Sequence, residues 1–251
     1  MIAIEKNIAA VRQRIKLAQV KTLAEGEVVT ALPENMGQSI DQSSPLLLAV
    51  SKKQPVSAIN QAIDAGIRDF GENYLQEAEA KIAELQGKSL IWHYIGAIQS
   101  NKARAIANLF DWVHSVDRLS IAQRLSQQRP SHLAPLNICL QINIDNESSK
   151  SGIAPDQLAD MATGIVKLPG VSLRGLMAIP AQTTDVDAKR KSFAAMRKLF
   201  EQLRDQLDRE QGSDNQFDTL SMGMSADLEL AVAEGATLLR VGTDIFGPRG
   251  S

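Results

Sequence analysis

A continuously apolar run that ends in a polar pair decides the fold: Leu46-Leu47-Leu48-Ala49-Val50-Ser51-Lys52. A strand covered on both faces has this composition, because neither of its alternating rows of side chains meets water. The run therefore predicts a buried parallel strand with a lysine at its C-terminal end.

Short apolar runs then alternate with helical patterns as far as the C-terminus. We predict strands at Leu46–Ser51, Ile67–Gly71, Leu90–Gly96, Trp112–Val116, Asn137–Ile144, Val171–Ile179, Phe217–Met224 and Thr237–Val241. We predict helices at Val56–Ala65, Asn73–Leu85, Asn101–Leu109, Arg118–Gln128, Pro155–Lys167, Ala188–Arg209 and Asp227–Ala233. Strict alternation is typical of parallel β–α units.

Eight such units in about 200 residues favour an α/β fold of the closed (β/α)8 TIM barrel type, near the lower size limit of that fold. The alternative is an open doubly wound sheet. The dinucleotide fingerprint G-x-G-x-x-G is absent from the sequence, which leaves that alternative without its usual site.

The N-terminal region adds two further predictions. Ile2–Val20 reads as an extra amphipathic helix, because its apolar residues recur at helical spacing: Ile4, Ile8, Val11, Ile15 and Ala18. Lys21–Ser44 is polar, contains Gly26, Pro33 and Gly37, and is predicted to be a long surface loop or a flexible insert. We expect residues 1–251 to form one domain.

Composition excludes several classes of protein. The net charge of −2 gives no basic surface for nucleic acid, and no apolar stretch is long enough to span a bilayer. The only cysteine, Cys139, is interpreted as a small buried core residue. The three histidines lack metal-site spacing, so we expect no metal centre. These features together predict a cytoplasmic protein.

Lys52 is the candidate nucleophile. In a barrel of this type the site lies at the C-terminal ends of the strands, where Lys52 follows the first strand. A partly buried ammonium loses its proton more readily, and the free amine can attack an aldehyde. Lys53 is adjacent, and strand alternation lets only one of the two point into the mouth. The plain alternative is a solvated strand-end lysine.

Ser225, Gly242 and Thr243 form a candidate phosphate site. They follow the last two strands, and the loops after strands seven and eight commonly hold phosphate in such barrels. Backbone amides at glycine-rich turns and helix starts bind phosphate well. The plain alternative is an ordinary helix cap at Ser225 and a turn glycine at Gly242. An amine beside an anion site suits a phosphorylated aldehyde such as pyridoxal phosphate.

Arg240 interrupts an otherwise apolar strand and needs a partner there. In a pyridoxal phosphate site it could donate to the pyridine nitrogen, which would stay unprotonated and stabilise a carbanion poorly. The alternative is a core salt bridge with Glu229 or Asp244.

Asn73 and His93 are two further candidates for the pocket wall. A lone histidine on an apolar strand is, however, more often a hydrogen-bonded core residue. Met222 reads on its own as barrel packing. Glu72 and Asp117 are the expected carboxylates at the mouth.

Seven segments resemble, in order and spacing, the pyridoxal phosphate homeostasis protein family. They are LLLAVSKKQP (46–55), FGENYLQEA (70–78), WHYIGAIQSNKAR (92–104), QINIDNESSKSG (141–152), GLMAIPA (175–181), TLSMGMSADLELA (219–231) and RVGTDIFGPR (240–249). The resemblance runs from about Leu46 to the C-terminus. It implies a barrel similar to the N-terminal domain of alanine racemase. This chain carries Lys53 where the family often has threonine.

The resemblance also implies residue roles. Lys52 would bind pyridoxal 5'-phosphate as a covalent aldimine, and Arg240 would face the pyridine nitrogen. The phosphate would be held by Ser225, Gly242 and Thr243, and the ring would be surrounded by Asn73, His93 and Met222.

The predicted function is to carry or buffer pyridoxal phosphate without substantial catalysis. A racemase needs an acid and a base on opposite faces of the substrate carbon, and the family lacks the second domain that completes such a site. The expected partners are the cofactor and apo pyridoxal phosphate enzymes, and the expected state is a monomer. Two alternatives remain: a racemase-like enzyme, and a barrel that binds another phosphorylated metabolite without a covalent bond.

Overall fold

The computed structural model describes residues 3–24, 44–147, 150–212 and 215–248. Within these ranges the chain forms eight strands: β1 (Leu46–Val50), β2 (Asp69–Glu72), β3 (Ile91–Tyr94), β4 (Trp112–Val116), β5 (Leu136–Ile142), β6 (Val171–Ala178), β7 (Thr219–Ser221) and β8 (Leu238–Val241). The α-helices of the same ranges are α1 (Ala3–Ala24), α2 (Val56–Asp64), α3 (Leu75–Glu84), α4 (Ala103–Leu109), α5 (Leu119–Gln128), α6 (Leu158–Ile165), α7 (Val186–Gln211), α8 (Leu228–Ala233) and α9 (Thr243–Phe246). One-turn 3₁₀ helices at Ser100–Lys102 and Pro155–Gln157 precede α4 and α6.

The eight strands form one closed parallel barrel in sequence order, which confirms the predicted (β/α)8 fold over the open sheet. Closure occurs between β1 and β8, where Leu46 is paired with Leu238 and Ala49 with Val241. The strand order places the C-terminal ends of all eight strands at one rim, where the candidate site residues were expected.

Strand β1 is continuously apolar because both of its faces are covered, as predicted from the sequence. Ala49 and the partly buried Leu47 belong to the main core between the barrel and the helices. Leu48, with no exposed surface, and Val50 lie on the opposite row, toward the barrel interior. Both rows are therefore shielded from water.

The barrel interior has its own small apolar cluster, separate from the main core. Trp112, Cys139 and Met177 pack together there. Cys139 is fully buried, as expected, and burial raises the pKa of its thiol. The remainder of the interior is unusually polar and contains two buried histidines, His93 and His114.

Helix α1 takes the position of the helix that would otherwise lie between β8 and β1. It packs against α8, α9 and α2. Its buried residues include all five that the periodicity predicted: Ile4, Ile8, Val11, Ile15 and Ala18. The helix continues to Ala24, so the first four residues of the predicted Lys21–Ser44 insert are helical instead. Residues 25–43 of that prediction lie outside the described residues.

The predicted element boundaries need small corrections. β7 is three residues long and not eight, because the chain turns at Gly223, whose φ is +88°, a left-handed value that suits glycine. The short helix α9 was not predicted, since four residues are too few for a periodic signal. Among the described helices, none is long and apolar enough to cross a membrane.

Gly175 gives a direct test of the barrel packing. A Cβ at this position would lie 1.7 Å from the carbonyl oxygen of Thr219, on the neighbouring strand β7. We expect Gly175→Ala to lower the free energy of unfolding by at least about 3 kcal/mol in urea denaturation, because backbone must move. The control is Gly87→Ala, where the φ is +83° but no atom lies within 4 Å. That variant should lose only about 1 kcal/mol from backbone strain. Equal losses would contradict the interpretation.

Candidate functional site

A cavity of about 240 Å³ opens at the C-terminal rim of the barrel. Its floor and walls are largely apolar, with a few polar groups that converge on it. The lining residues are Val50, Lys52, Gln54, Asn73, Ile95, Met177, Ile179, Met224, Ser225, Ala226, Arg240, Gly242, Thr243 and Gly247. At the mouth, Ile179 keeps 42% of its surface exposed, so the cavity is open to solvent on that side.

The cavity collects six of the eight predicted site residues. These are Lys52, Asn73, Ser225, Arg240, Gly242 and Thr243. The other two, His93 and Met222, do not line it. Sequence reasoning missed the apolar lining residues Val50, Ile95, Met177 and Ile179, because nothing distinguishes them from core residues until the barrel closes.

The turn after β1 separates the two adjacent lysines. Lys52 lines the cavity and is half-buried, whereas Lys53 is exposed. Lys53 has a φ of +59°, which redirects the chain, and its backbone N–H donates to Glu77 Oε2 at 2.8 Å. As predicted, only one of the two lysines lines the cavity, and the turn after β1 makes it Lys52.

A buried ion pair holds this turn from behind. Lys81 Nζ donates to the carbonyl oxygen of Ser51 at 2.8 Å and to Glu72 Oε1 at 2.7 Å. The Ser51 hydroxyl donates to the same carboxylate oxygen at 2.6 Å. Burial raises the pKa of Glu72, while the bonds from Lys81 and Ser51 oppose that shift. The backbone that carries Lys52 is therefore fixed by Lys81, a residue without any motif signal.

Glu72 and Asp117 were expected as carboxylates at the mouth, and the structure corrects both. Glu72 faces α3 instead of the barrel interior, because Gly71 and Asn73 occupy the inward positions on either side of it. Asp117 pairs with Arg118 at 2.7 Å. Neither residue lines the cavity.

Arg240 lies at the inner end of the cavity and is buried. Among the described residues, its hydrogen-bond acceptors are all neutral: the carbonyl oxygens of Ser221 (2.8 Å) and Ala178 (2.9 Å), and the Ser221 hydroxyl (2.7 Å). Burial lowers the pKa of Arg240 to about 10, and the charge of Asp227 partly offsets the effect. The guanidinium is thus still cationic at neutral pH.

The alternative of a salt bridge from Arg240 to Glu229 or Asp244 is wrong, because Arg14 of α1 pairs with both carboxylates. Arg14 Nε lies 2.6 Å from Glu229 and Nη1 lies 2.5 Å from Asp244. The bond from Arg14 lowers the pKa of Glu229. Arg14 Nη2 also donates to the carbonyl oxygen of Ser225 at 3.0 Å. Helix α1 therefore ties together the two loops of the candidate phosphate site.

These two loops also contact each other directly. The backbone N–H of Asp244 donates to the Ser225 hydroxyl at 3.4 Å. The β7–α8 loop is closed by Asp227, whose carboxylate accepts from the Met224 amide at 2.7 Å. Gly242 lies close to β1, where an added Cβ would be 3.3 Å from the carbonyl oxygen of Val50. Two hydroxyls and the backbone of a glycine thus meet on one side of the cavity. The described lining residues include no carboxylate that would repel an anion there.

His93 and Met222 were predicted to surround the ligand, but neither of them lines the cavity. His93 is fully buried deep in the barrel, where its ring nitrogens lie 2.9 Å from His114 Nε2 and 3.1 Å from Asp69 Oδ1. Met222 belongs to the main core outside the barrel. In the structure His93 is a hydrogen-bonded core histidine and Met222 is a packing methionine, which are the alternatives given for them in the sequence analysis.

Asn73 provides a test of whether the cavity fits a polar ligand. Its side-chain Oδ1 is buried and has no hydrogen-bond partner among the described residues. A buried polar atom without a partner is costly, so a ligand that bonds to Asn73 would stabilise the site. An amine, a cation, two hydroxyls and this amide fit a small anionic aldehyde with a heteroaromatic ring. In the described part of the chain, no cluster of His, Cys, Asp or Glu could hold a metal ion.

Sequence comparison identifies close relatives over nearly the whole chain. The sequence model of the alanine racemase N-terminal domain family matches residues 30–250. The pyridoxal phosphate homeostasis protein of Pseudomonas aeruginosa is 51% identical over 249 residues, with 99% of this chain and 97% of the relative covered. Its namesake from Escherichia coli K12 is 46% identical, with 93% of this chain and 95% of the relative covered. The family predicted from the motifs is confirmed.

Solved structures agree with the sequence relatives. PipY of Synechococcus elongatus without PLP is 36% identical and superposes with a TM-score of 0.79 over 97% of this chain and all of PipY. PipY with PLP bound gives a TM-score of 0.76 at the same identity and coverage. A histidine racemase from Leuconostoc mesenteroides is only 13% identical, with a TM-score of 0.67 over 99% of this chain and 58% of the racemase. That last similarity shows the barrel fold alone.

Removal of Lys81 tests the ion pair behind the lysine turn. We expect Lys81→Met to lower the free energy of unfolding by about 3–5 kcal/mol, because it leaves the Glu72 carboxylate buried without a cation. Loss of Lys81 should raise the folded-state pKa of Glu72 further above its unfolded value. The variant then binds an extra proton on folding, so its deficit should shrink as the pH falls and grow as the pH rises.

The matched control is Lys88→Met, which removes an exposed lysine bonded to Asn60. Its change should stay within about 0.5 kcal/mol. Urea unfolding at pH 5 and pH 8 measures both variants. A Lys81→Met deficit that is the same at the two pH values would rule out the buried-carboxylate explanation.

Proposed function

This chain belongs to the pyridoxal phosphate homeostasis protein family, and we propose that its cavity binds pyridoxal phosphate so that the protein carries or buffers the cofactor. The observation that carries the proposal is the convergence of Lys52, Arg240 and the Ser225–Thr243 loops on one cavity. When bound, pyridoxal phosphate supplies an aldehyde, a pyridine ring and a phosphate. Relatives that share this name, and PipY with PLP bound, support the assignment.

Each part of the cofactor has a counterpart in the cavity. Lys52 provides the amine that holds the aldehyde carbon covalently. Ser225, Gly242 and Thr243 hold the phosphate through hydroxyls and backbone amides, as short loops at barrel rims commonly do. Arg240 donates to the ring nitrogen, and the unpartnered Asn73 amide bonds at the ring edge.

We further propose that the protein has little or no catalysis of its own. Of the described lining residues, Lys52 and Arg240 alone have titratable side chains. A racemase needs a second acid or base on the opposite face of the substrate carbon. A buried arginine that stays cationic also keeps the ring nitrogen unprotonated, which weakens the ring as an electron sink.

A carrier must also give up its cargo. The cavity mouth is open beside Ile179, which is 42% exposed, so an acceptor amine can approach from solvent. We propose that apo pyridoxal phosphate enzymes receive the cofactor by this route. A single buried cysteine suits the reducing cytoplasm, where we expect the protein to act.

Lys52→Ala tests the covalent site. The wild-type protein is loaded with pyridoxal phosphate, and the unbound cofactor is removed. It should then show an absorption band close to the visible range. After borohydride reduction its mass should increase by that of one attached cofactor. Lys52→Ala should lose both signals, because the cavity then has no lysine amine among its described lining residues. Absorbance spectra and mass spectrometry of the purified proteins measure this.

Lys53→Ala is the matched control, since Lys53 is adjacent but exposed. It should keep the colour and the adduct. If the Lys52→Ala protein is still coloured, the covalent bond is formed by another lysine, and Lys53 and Lys150 would be the first to be replaced. A wild-type protein that binds the cofactor but shows no covalent signal would favour the alternative of non-covalent binding of a phosphorylated metabolite.

Incubation of the loaded protein with L-alanine tests the proposed lack of catalysis. We expect no sustained formation of D-alanine, followed by chiral chromatography, because the cavity lacks a second base. An authentic alanine racemase serves as the positive control. Continuous turnover at about 1 s⁻¹ or faster, in the ordinary range for enzymes, would establish the racemase alternative.

A further inference from the structure

A chain of polar side chains crosses the barrel interior from its floor to the cavity. Asp69 Oδ1 lies 3.1 Å from His93 Nε2, and His93 Nδ1 lies 2.9 Å from His114 Nε2. His114 Nδ1 lies 3.0 Å from the Ser221 hydroxyl, which accepts from Arg240 Nη1 at 2.7 Å. These four contacts join a carboxylate at one end to a guanidinium at the other. We call these residues the relay.

The relay spans the height of the barrel. Asp69 is the first residue of β2, at the N-terminal end of the strands, and Arg240 lines the cavity at the opposite end. His93, His114 and Ser221 have no exposed surface. Trp112 stacks against His93, with ring centroids 5.5 Å apart and planes 13° apart. Bulk solvent therefore does not reach the middle of the relay, where the members lie within hydrogen-bond distance of one another.

The two ends fix the direction of the hydrogen bonds. A guanidinium can only donate and an ionised carboxylate can only accept. Burial, with the charge of the nearby Arg240, holds the pKa of His114 well below its ordinary value, so that ring is neutral. One order of protons then matches every donor to an acceptor: Arg240 to Ser221, Ser221 to His114, His114 to His93 and His93 to Asp69.

In this order both histidines carry their proton on Nε2. The reverse tautomer of His114 would make the Ser221 hydroxyl receive two N–H donors. It would also require His93 to be an imidazolium, or else leave its Nε2 lone pair facing the Asp69 carboxylate. The single consistent order explains why two histidines and a serine occupy positions that apolar side chains fill in an ordinary barrel.

The relay acts on Arg240 through Ser221. The guanidinium is buried, and its described acceptors are one hydroxyl and two carbonyl oxygens. A hydroxyl can rotate its hydrogen toward any acceptor. Here it donates a hydrogen bond to the His114 ring, which leaves the lone pairs of the Ser221 oxygen facing the guanidinium. The negative charge of Asp69 polarises the two histidine rings in turn, and this makes the Ser221 oxygen a stronger acceptor for Arg240.

We propose that Asp69, His93, His114 and Ser221 are positioning residues that fix the orientation of the Arg240 guanidinium in the cavity and thereby tune the ring of bound pyridoxal phosphate. The inference rests on the proposed function, since it assigns Arg240 to the ring nitrogen. The relay itself is a property of the protein without the cofactor. The two parts can therefore be tested separately.

The first test is histidine NMR on the cofactor-free protein. Long-range ¹H–¹⁵N spectra of the ¹⁵N-histidine protein at pH 7 should show His93 and His114 as neutral rings with the proton on Nε2. Assignments come from single replacements, and the exposed His132 is the internal reference. A proton on Nδ1 of His114, or an imidazolium at His93, would overturn the relay, whatever the cofactor does.

The second test links the relay to the cofactor. His114→Phe removes the acceptor for the Ser221 proton. We expect the visible absorption maximum of the loaded protein to shift and the dissociation constant for pyridoxal phosphate to rise roughly tenfold, the value of one weakened hydrogen bond to a charged group. His114→Gln keeps one acceptor and one donor, so it should restore part of both properties. Asp69→Asn should shift the maximum in the same direction but less.

The matched control is Asp218→Asn. Asp218 is also in the barrel floor but pairs with Arg174, outside the relay. It should lose stability without moving the absorption maximum. If His114→Phe does not fold, Asp69→Asn decides the question, because its side chain is at the partly exposed end of the relay. Folded relay variants with wild-type spectrum and affinity would overturn the positioning role. A wild type that never binds the cofactor would instead overturn the proposed function and leave the NMR result standing.

Discussion

Closure of the barrel between β1 and β8 is the constraint on which the rest of the structure depends. Residues nearly two hundred positions apart become neighbours there, with Leu48 paired with Arg240 and Ala49 with Val241. The same pairing brings Gly242 within 3.3 Å, measured from an added Cβ, of the Val50 carbonyl oxygen. A bulkier residue at 242 would push against the backbone and side chain of Val50, which lines the cavity next to the turn that carries Lys52. Strand pairing and ligand binding are thus the same geometric requirement at this rim.

The barrel interior is more polar than stability alone would favour. A core of branched apolar side chains would avoid the cost of burying an arginine, two histidines and their partners. The burial that lowers the pKa of Arg240 to about 10 is one measure of that cost. The hydrogen bonds of the relay offset part of it, and they also leave little freedom for the guanidinium. At neutral pH the guanidinium is therefore cationic, with its hydrogen bonds directed at the Ser221 hydroxyl and two carbonyl oxygens.

Helix α1 is part of the site, although none of its residues lines the cavity. It fills the gap that seven crossover helices leave around eight strands, and Arg14 joins Glu229, Asp244 and the Ser225 carbonyl from outside the barrel. Lys81 acts in the same way behind Lys52. Both cations are one layer away from the cavity and control the backbone of residues inside it. The site is therefore a property of the whole ring of helices and strands.

The sequence by itself determined the class of fold and the order of strands and helices, and six of the eight site residues predicted from it line the cavity. It could do so because apolar runs reveal buried strands, and because the ends of parallel strands must share one rim. The family resemblance then named the ligand. Tertiary structure alone decided what lies behind those residues. Glu72 pairs with Lys81, and Glu229 and Asp244 pair with Arg14. His93 is connected to Arg240 by hydrogen bonds through His114 and Ser221. Such partnerships are set by distance across a closed barrel, and a pattern read along one chain contains no information about that distance.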